Sequence, residues 1–285
     1  MVDRGPGPDR PARIERWSAG AHEPAVDVVA AEEPLQIVLD GESFAVVMRT
    51  PGHDLELVLG LLFAEGVIAD LADVAGAAVA ASGIPDGGST LPLSALPEAE
   101  NLVDLRLARP HEAAVPVGWQ RNLVASSACG ICGAAALDAL RVDLDPLPAG
   151  PRFGWRTLVG MPAALREAQA TFELTGGLHA AGLFTPAGQL IAIREDVGRH
   201  NAVDKLVGAA LLAGELPLHD RGLMVSGRTS FELAQKAVVA GVPLLAAVSA
   251  PSSLAIHVAH TFGLTLIGFL RGDRFNVYAG GERIA

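Results

Sequence analysis

Cysteine is nearly missing from this chain, with two among 285 residues, Cys129 and Cys132. That is far below the density of a secreted disulfide scaffold and suits a reducing compartment, so the pair is there for chemistry or for metal. Charge is sparse too, at 19% Asp, Glu, Lys and Arg, and no basic excess exists. The balance of 21 Lys and Arg against 32 Asp and Glu gives a formal net charge of −11, which opposes non-specific attraction to nucleic acid or anionic lipid. Met1 to Trp17 mixes Arg4, Arg10, Arg13 and Arg16 with Asp3, Asp9 and Glu15 and holds no apolar run, so no secretory signal is read there. The uncharged stretch 237–270 is long enough to raise the question of a membrane span. Pro243, Ser249, Pro251, Ser252, Ser253, His257 and His260 interrupt it, and it reads as strand, turn, helix, strand. The expectation is a cytoplasmic protein that engages neither nucleic acid nor membrane.

Half of the residues are hydrophobic, enough to bury a sizeable core, and the length suits about two domains. Residues 1–22 are rich in Pro, Gly and Arg without periodicity and are expected to form a disordered arm. Apolar runs at 35–39 and 44–48 flank Asp40-Gly41-Glu42-Ser43, a hairpin signal. Leu55, Val58, Leu59 and Leu62 then follow helical spacing, with Gly66 as the stop. The stretch 80–99 reads as a long loop, and Val103, Leu105 and Leu107 alternate with Asp104 and Arg106 as a strand with one wet face. The segment 145–154 combines Asp, Pro and Gly and is the expected boundary between an N-terminal α+β domain (23–152) and a C-terminal α/β domain (153–285). In the second half, a helix is expected from Pro162 to Leu174, then a hairpin (178–184 and 189–194). Helices at 199–213 and 230–240 and strands at 223–226, 243–248 and 264–269 follow. That order implies a largely parallel sheet covered by helices, and the fold class is α/β.

Ser126-Ser127-Ala128-Cys129-Gly130-Ile131-Cys132-Gly133 precedes an Ala-rich run of helical character, which puts Cys132 near a helix N-terminus. The dipole there favours a thiolate, and the flanking glycines let a second sulfur or a bulky partner approach. A zinc site needs four ligands, so a symmetry mate or histidines such as His53 or His200 would have to complete it. A thioredoxin-like site wants the pair directly after a strand, whereas here a Pro-rich loop precedes it. A sulfur carrier, in which one thiolate accepts a sulfur atom and passes it on, is the third reading, and two inert buried cysteines the fourth. Residue chemistry alone does not separate the carrier from the redox site.

The run from Ile193 to Lys205 packs seven ionisable side chains and Asn201 between an apolar strand and an apolar helix. Strand-to-helix junctions of open α/β sheets are where ligands bind, and a helix N-terminus there can receive a phosphate. The bland alternative is a charged helix start capped by Asp196. Ser226-Gly227-Arg228-Thr229-Ser230 should lie on the same rim, and Phe269, Leu270, Arg271, Gly272, Asp273 and Arg274 end a buried strand at its edge. Arg199, His200, Arg228, Arg271 and Arg274 are candidate phosphate ligands. His179, His257 and His260 lie in apolar segments and read as hydrogen-bonded core or helix residues.

These segments, with Arg49-Thr50-Pro51-Gly52, resemble the formate dehydrogenase accessory sulfurtransferase family from about Pro24 to the C-terminus. The resemblance implies a homodimeric cytoplasmic carrier that takes persulfide sulfur from a cysteine desulfurase. The sulfur goes to the molybdenum bis(pterin guanine dinucleotide) cofactor, a bound substrate that a guanine nucleotide would mimic, and activates formate dehydrogenase. By that similarity the second domain has a cytidine deaminase-like fold, Cys129 holds the persulfide, Cys132 assists, and residues 269–274 contact the guanine dinucleotide end. The deaminase zinc signatures His-x-Glu and Pro-Cys-x-x-Cys do not occur, so neither catalytic metal nor deamination is expected.

Overall fold

A two-residue turn sets the register of the first sheet. Asp40 and Gly41 both have positive φ (51° and 86°), the conformation a tight hairpin demands, and they join β3 (Glu33–Leu39) to β4 (Glu42–Arg49). The computed structural model describes residues 7–80, 101–109 and 144–285; Cys129, Cys132 and nearly all of the 80–99 stretch lie outside them. β6 (Leu102–Leu107) runs parallel to β3 and antiparallel to β5 (Val74–Ala80), giving the order β4-β3-β6-β5. Asp104, expected on a wet face, is instead buried, held by Arg106 Nη2 at 2.7 Å and by the Gly41 N–H.

The expected disordered arm is, from Asp9 onward, a β-hairpin: β1 (Asp9–Ser18) pairs antiparallel with β2 (Ala21–Ala30) about Ala19 and Gly20, both at positive φ. Its long strands are mostly exposed, and Arg10 anchors the base through Glu33 at 2.7 Å.

In the second half, α2 (Trp155–Glu167) starts earlier than expected and carries Pro162 in its interior. The short α3 (Ala170–Thr175) closes on Gly176 in the left-handed region. β7 (His179–Phe184) and β8 (Leu190–Asp196) form the expected hairpin. α4 (Arg199–Leu212), β9 (Gly222–Val225), α5 (Phe231–Val239), β10 (Leu244–Ala247), α6 (Ser253–Phe262) and β11 (Thr265–Arg271) alternate, and β12 (Arg274–Ala279) closes the sheet. The order is β12-β11-β10-β9-β7-β8. Only its centre, β9-β10-β11, is parallel; β7 and β12 flank it antiparallel. The uncharged stretch 237–270 is thus largely strand, helix, strand, and among the described residues no helix is long and apolar enough to cross a membrane.

α1 (Asp54–Ala64) buries Leu57, Val58, Leu59 and Leu62, and its other neighbour is α4. The two helices touch backbone to backbone through glycine. A Cβ on Gly60 would stand 1.8 Å from the Asp204 carbonyl oxygen, and one on Gly208 would stand 1.9 Å from that of Glu56. Gly60→Ala or Gly208→Ala is therefore expected to cost about 1–3 kcal/mol or more by overpacking. In Gly160, inside α2, the same methyl meets open space, so Gly160→Ala should stabilise by about 0.5–1 kcal/mol. Urea unfolding of the three variants reads both signs; a neutral Gly60→Ala would contradict the crossing.

Candidate functional site

One buried carboxylate sits where β8 hands over to α4. Asp196 is 0% exposed and accepts four hydrogen bonds. Its Oδ1 takes the Gly198 N–H and the Asn201 Nδ2 at 2.8 Å each; its Oδ2 takes the Thr50 N–H at 3.1 Å and Lys205 Nζ at 2.7 Å. Lys205, equally buried, also donates to the Thr50 carbonyl at 2.8 Å, Asn201 donates to the Met48 carbonyl, and Thr50 Oγ1 accepts from the Val197 N–H. Arg49 grips Asp54 through two 2.9 Å bonds, fully out of water. A charge so buried persists only when every lone pair is used. The 49–52 segment and much of the 194–205 run thus form one interlock between the two sheets. Arg194 belongs to it, binding Glu56 of α1 at 2.7 Å, while Glu195 caps α3 by accepting the Thr171 and Phe172 N–H groups.

What remains of the run faces a rim. The parallel strands β9, β10 and β11 end together, and because β7 is antiparallel to β9, His179 at its start joins that edge. His179 pairs in register with Asp196, which brings the N-terminus of α4 there as well. Along this rim lie His179, Arg199, His200, Ser226, Arg228, Arg271 and Arg274. His200 Nε2 lies 2.9 Å from Ser230 Oγ and 2.8 Å from Glu232 Oε2. Arg199 and Arg228 make no hydrogen bond or ion pair to a described residue, and the Nε of Arg199 is buried without an acceptor. Gly227 lets His179 and Arg199 come side by side: a Cβ there would lie 3.4 Å from His179 Nδ1 and 3.7 Å from Arg199 Cδ. Burial, then the charges of Arg199 and His200, and further down Arg228, hold the His179 pKa below its ordinary value despite Asp196 nearby. Its imidazole is neutral at pH 7.

The hairpin tip carries the last candidate segment. Arg271 and Arg274 stand directly opposite each other across β11 and β12, an arrangement that costs energy for like charges. Arg271 Nε donates to the Val248 carbonyl at 2.8 Å. Phe269 is 40% exposed with φ 53° beside a register shift, a conformation uncommon for a bulky residue and a mark of strain held by its surroundings. Leu270 is the exception among the site candidates: it is fully buried in the core with Ile267 and Met224, so it positions its neighbours rather than meeting a ligand. Gly272 and Asp273 form the exposed turn.

Two cavities flank the interlock. One of about 660 Å³ is lined by Thr50, Pro51, Gly52, His53, Arg194, Glu195 and Lys205 among others. The second, about 530 Å³, lies between α2–α3 and the rim, with Leu165, Gln169, Phe172, His179, Ser226 and Val248 in its wall. His179, expected to be a hydrogen-bonded core residue, is thus half-buried in a cavity wall, and its imidazole makes no hydrogen bond to a described residue. Nothing in a lone histidine before an apolar strand announces this. His257 and His260 are exposed on α6, and His53, half-exposed, pairs with Glu56 at 3.2 Å.

The interlock makes its own predictions. Lys205→Met strands the Asp196 carboxylate and is expected to cost about 3–5 kcal/mol in chemical unfolding. Burial opposes ionisation of Glu56, but Arg194 and His53 outweigh it and hold its pKa at about 2. Its stabilising share is complete above 4.5 and fades as pH falls towards 2. Glu65 behaves oppositely: burial, with Asp204 and Glu232 adding and Lys236 opposing, pushes its pKa to about 7. The folded state then holds a proton that the unfolded chain releases, so stability falls as pH rises from 4.5 to 7. Unfolding curves across that range should lose this fall in Glu65→Gln; an unaltered slope would assign it elsewhere.

Comparison with known proteins shows the family and the fold. A curated protein of Streptomyces avermitilis, named sulfur carrier protein FdhD, is 49% identical over 280 residues, covering 96% of this chain and 94% of its own. One of the same name from Sulfurisphaera tokodaii is 41% identical and covers 90% and 92%. Among solved structures, a protein from Desulfotalea psychrophila proposed as a formate dehydrogenase accessory protein has the same fold. It superposes with a TM-score of 0.73 at 23% identity, over 97% of this chain and 99% of that one. A family model described as FdhD/NarQ matches residues 30–285, and the chain belongs to that family.

Proposed function

We propose that this protein is a sulfur carrier that serves formate dehydrogenase, working in the cytoplasm as a homodimer. Its Cys129 thiolate attacks the outer sulfur of a cysteine desulfurase persulfide. The donor's S–S bond breaks, the donor cysteine leaves as a thiolate, and a persulfide forms on Cys129. Cys132 then attacks the inner sulfur of Cys129, so that sulfur leaves as hydrosulfide beside the acceptor and a Cys129–Cys132 disulfide remains for a cellular dithiol to reduce. The acceptor is the molybdenum bis(pterin guanine dinucleotide) cofactor. The sulfur chemistry draws on family membership and on relatives named sulfur carriers.

The observation that carries the acceptor's class is the rim. In a chain of net charge −11, Arg199 and Arg228 have no hydrogen-bonded counter-charge among the described residues, and Arg271 and Arg274 oppose each other at a hairpin tip. Such a cluster is stabilised by a polyanion at the ends of the parallel strands, where α/β sheets take their ligands. Phe269, lifted into solvent by its strained backbone, offers a ring face for a guanine.

Intact mass after incubation with a cysteine desulfurase and cysteine tests the chemistry. The expected result is a gain of one sulfur atom that Cys129→Ala abolishes. An unchanged mass favours a cofactor-holding chaperone, and a loss of two hydrogens that occurs without desulfurase and without a preceding gain of sulfur favours a dithiol oxidoreductase. For the rim, GDP should bind in preference to ADP, and Arg274→Ala should weaken it about tenfold, the scale of one charge-assisted phosphate contact. Equal affinity for the two nucleotides would count against a guanine site.

A further inference from the structure

We infer that the cavity between α2–α3 and the start of β7 is the subsite for a planar 2-amino-4-oxo heterocycle, with Gln169 reading its hydrogen-bonding edge and His179 at its mouth. The assignment rests on the cargo class proposed above and names the residues that meet a heterocycle of that cargo.

The two cavities differ in what their polar walls are doing. In the larger one Lys205, Glu195, Thr50 and Arg194 are all engaged in the interlock, and His53 is paired with Glu56. In the smaller one Arg166 is paired with Glu173 and Ser226 Oγ accepts the Ala180 N–H, while Gln169 and His179 have no side-chain partner among the described residues. Gln169 is 4% exposed, yet its carboxamide makes no hydrogen bond to a described residue; only its backbone does. Its polar atoms keep access to the cavity that Gln169 lines, where a ligand with a matching edge replaces water. His179 is the second idle group, with an imidazole kept neutral by burial and by the arginines beside it.

The remaining wall suits a flat ring. Leu165, Pro162, Phe172 and Leu178 supply apolar surface, and Arg166 lies over the Phe172 ring at 4.5 Å, closing one side with a planar cation. The volume of about 530 Å³ lies within the range of small-molecule sites. Phosphates attached to such a ring would emerge past His179, where Arg199 waits beside Gly227 and Arg271 holds Val248 at the cavity edge. A carboxamide offers one acceptor and one donor, matching the ring N–H and carbonyl shared by pterin and guanine.

Calorimetric titration with GDP and with neopterin, each on wild type, Gln169→Leu and Gln169→Glu, tests this. Gln169→Leu should weaken at least one of the two by about tenfold or more, because it strands the ligand's polar edge. Gln169→Glu should keep that ligand within about threefold, since a carboxylate accepts from the ring N–H and the 2-amino group. The ligand that responds identifies the heterocycle. Affinities unchanged in Gln169→Leu for both would overturn the subsite, as would an equal loss in Gln169→Glu, which would make Gln169 a packing residue. If wild type binds neither probe, the cargo reading itself fails. If wild type binds GDP and Arg274→Ala weakens it while both Gln169 variants match wild type, the subsite alone fails.

Discussion

The structure turns on one ionised carboxylate without access to water. Asp196 is held because Gly198, Asn201, Thr50 and Lys205 deliver four donors to its two oxygens, Thr50 from the first sheet's side and the other three from the second half of the chain. Thr50 ends the first sheet's hairpin; Lys205 and Asn201 belong to the helix that covers the second. Desolvating the pair is expensive, and the repayment is geometric: few arrangements other than the observed one satisfy both charges. The α1–α4 crossing fixes the same relation a second time, through backbone contact rather than charge. Together they place the N-terminus of α4 on the sheet edge where the cationic rim forms.

The rim follows the opposite electrostatic rule. Inside the interlock every cation has its carboxylate: Arg49 has Asp54, Lys205 has Asp196, and Lys236 has Asp204. At the strand ends Arg199 and Arg228 have none within hydrogen-bonding reach among the described residues. The contrast within one chain separates charges that hold the fold from charges open to a ligand, and it supports the functional reading more strongly than the abundance of arginine.

Local signals were legible in sequence. Asp40-Gly41 gave its hairpin, the apolar spacing from Leu55 gave α1, and the β-α alternation after 199 gave the parallel centre of the second sheet. What escaped depended on non-local partners. The β1–β2 hairpin was hidden by Pro and Arg content, although Ala19-Gly20 between runs holding Ile14, Val26, Val28 and Val29 was its trace. β12 is a short edge strand whose alternating Phe275, Val277 and Ala279 follow directly on the charged turn, and pairing with β11 defines it. The ionisable run from Arg194 to Lys205 looked uniform as letters, and burial divided it: Asp196 and Lys205 into the interlock, Arg199 and His200 onto the rim. Gln169 carried no signal at all, because a carboxamide lining a cavity without a partner among the described residues is visible only once its surroundings are known.

The face-to-face arginines at the tip of β11 and β12 make that hairpin sensitive to its ionic surroundings. Their mutual repulsion is shielded weakly in dilute buffer and strongly in brine, so the tip is held most loosely when few counter-ions are present. A single diphosphate lodged between them does locally what concentrated salt does everywhere. Binding of a diphosphate there, as proposed above, would therefore stiffen the hairpin that carries Arg271 and Arg274.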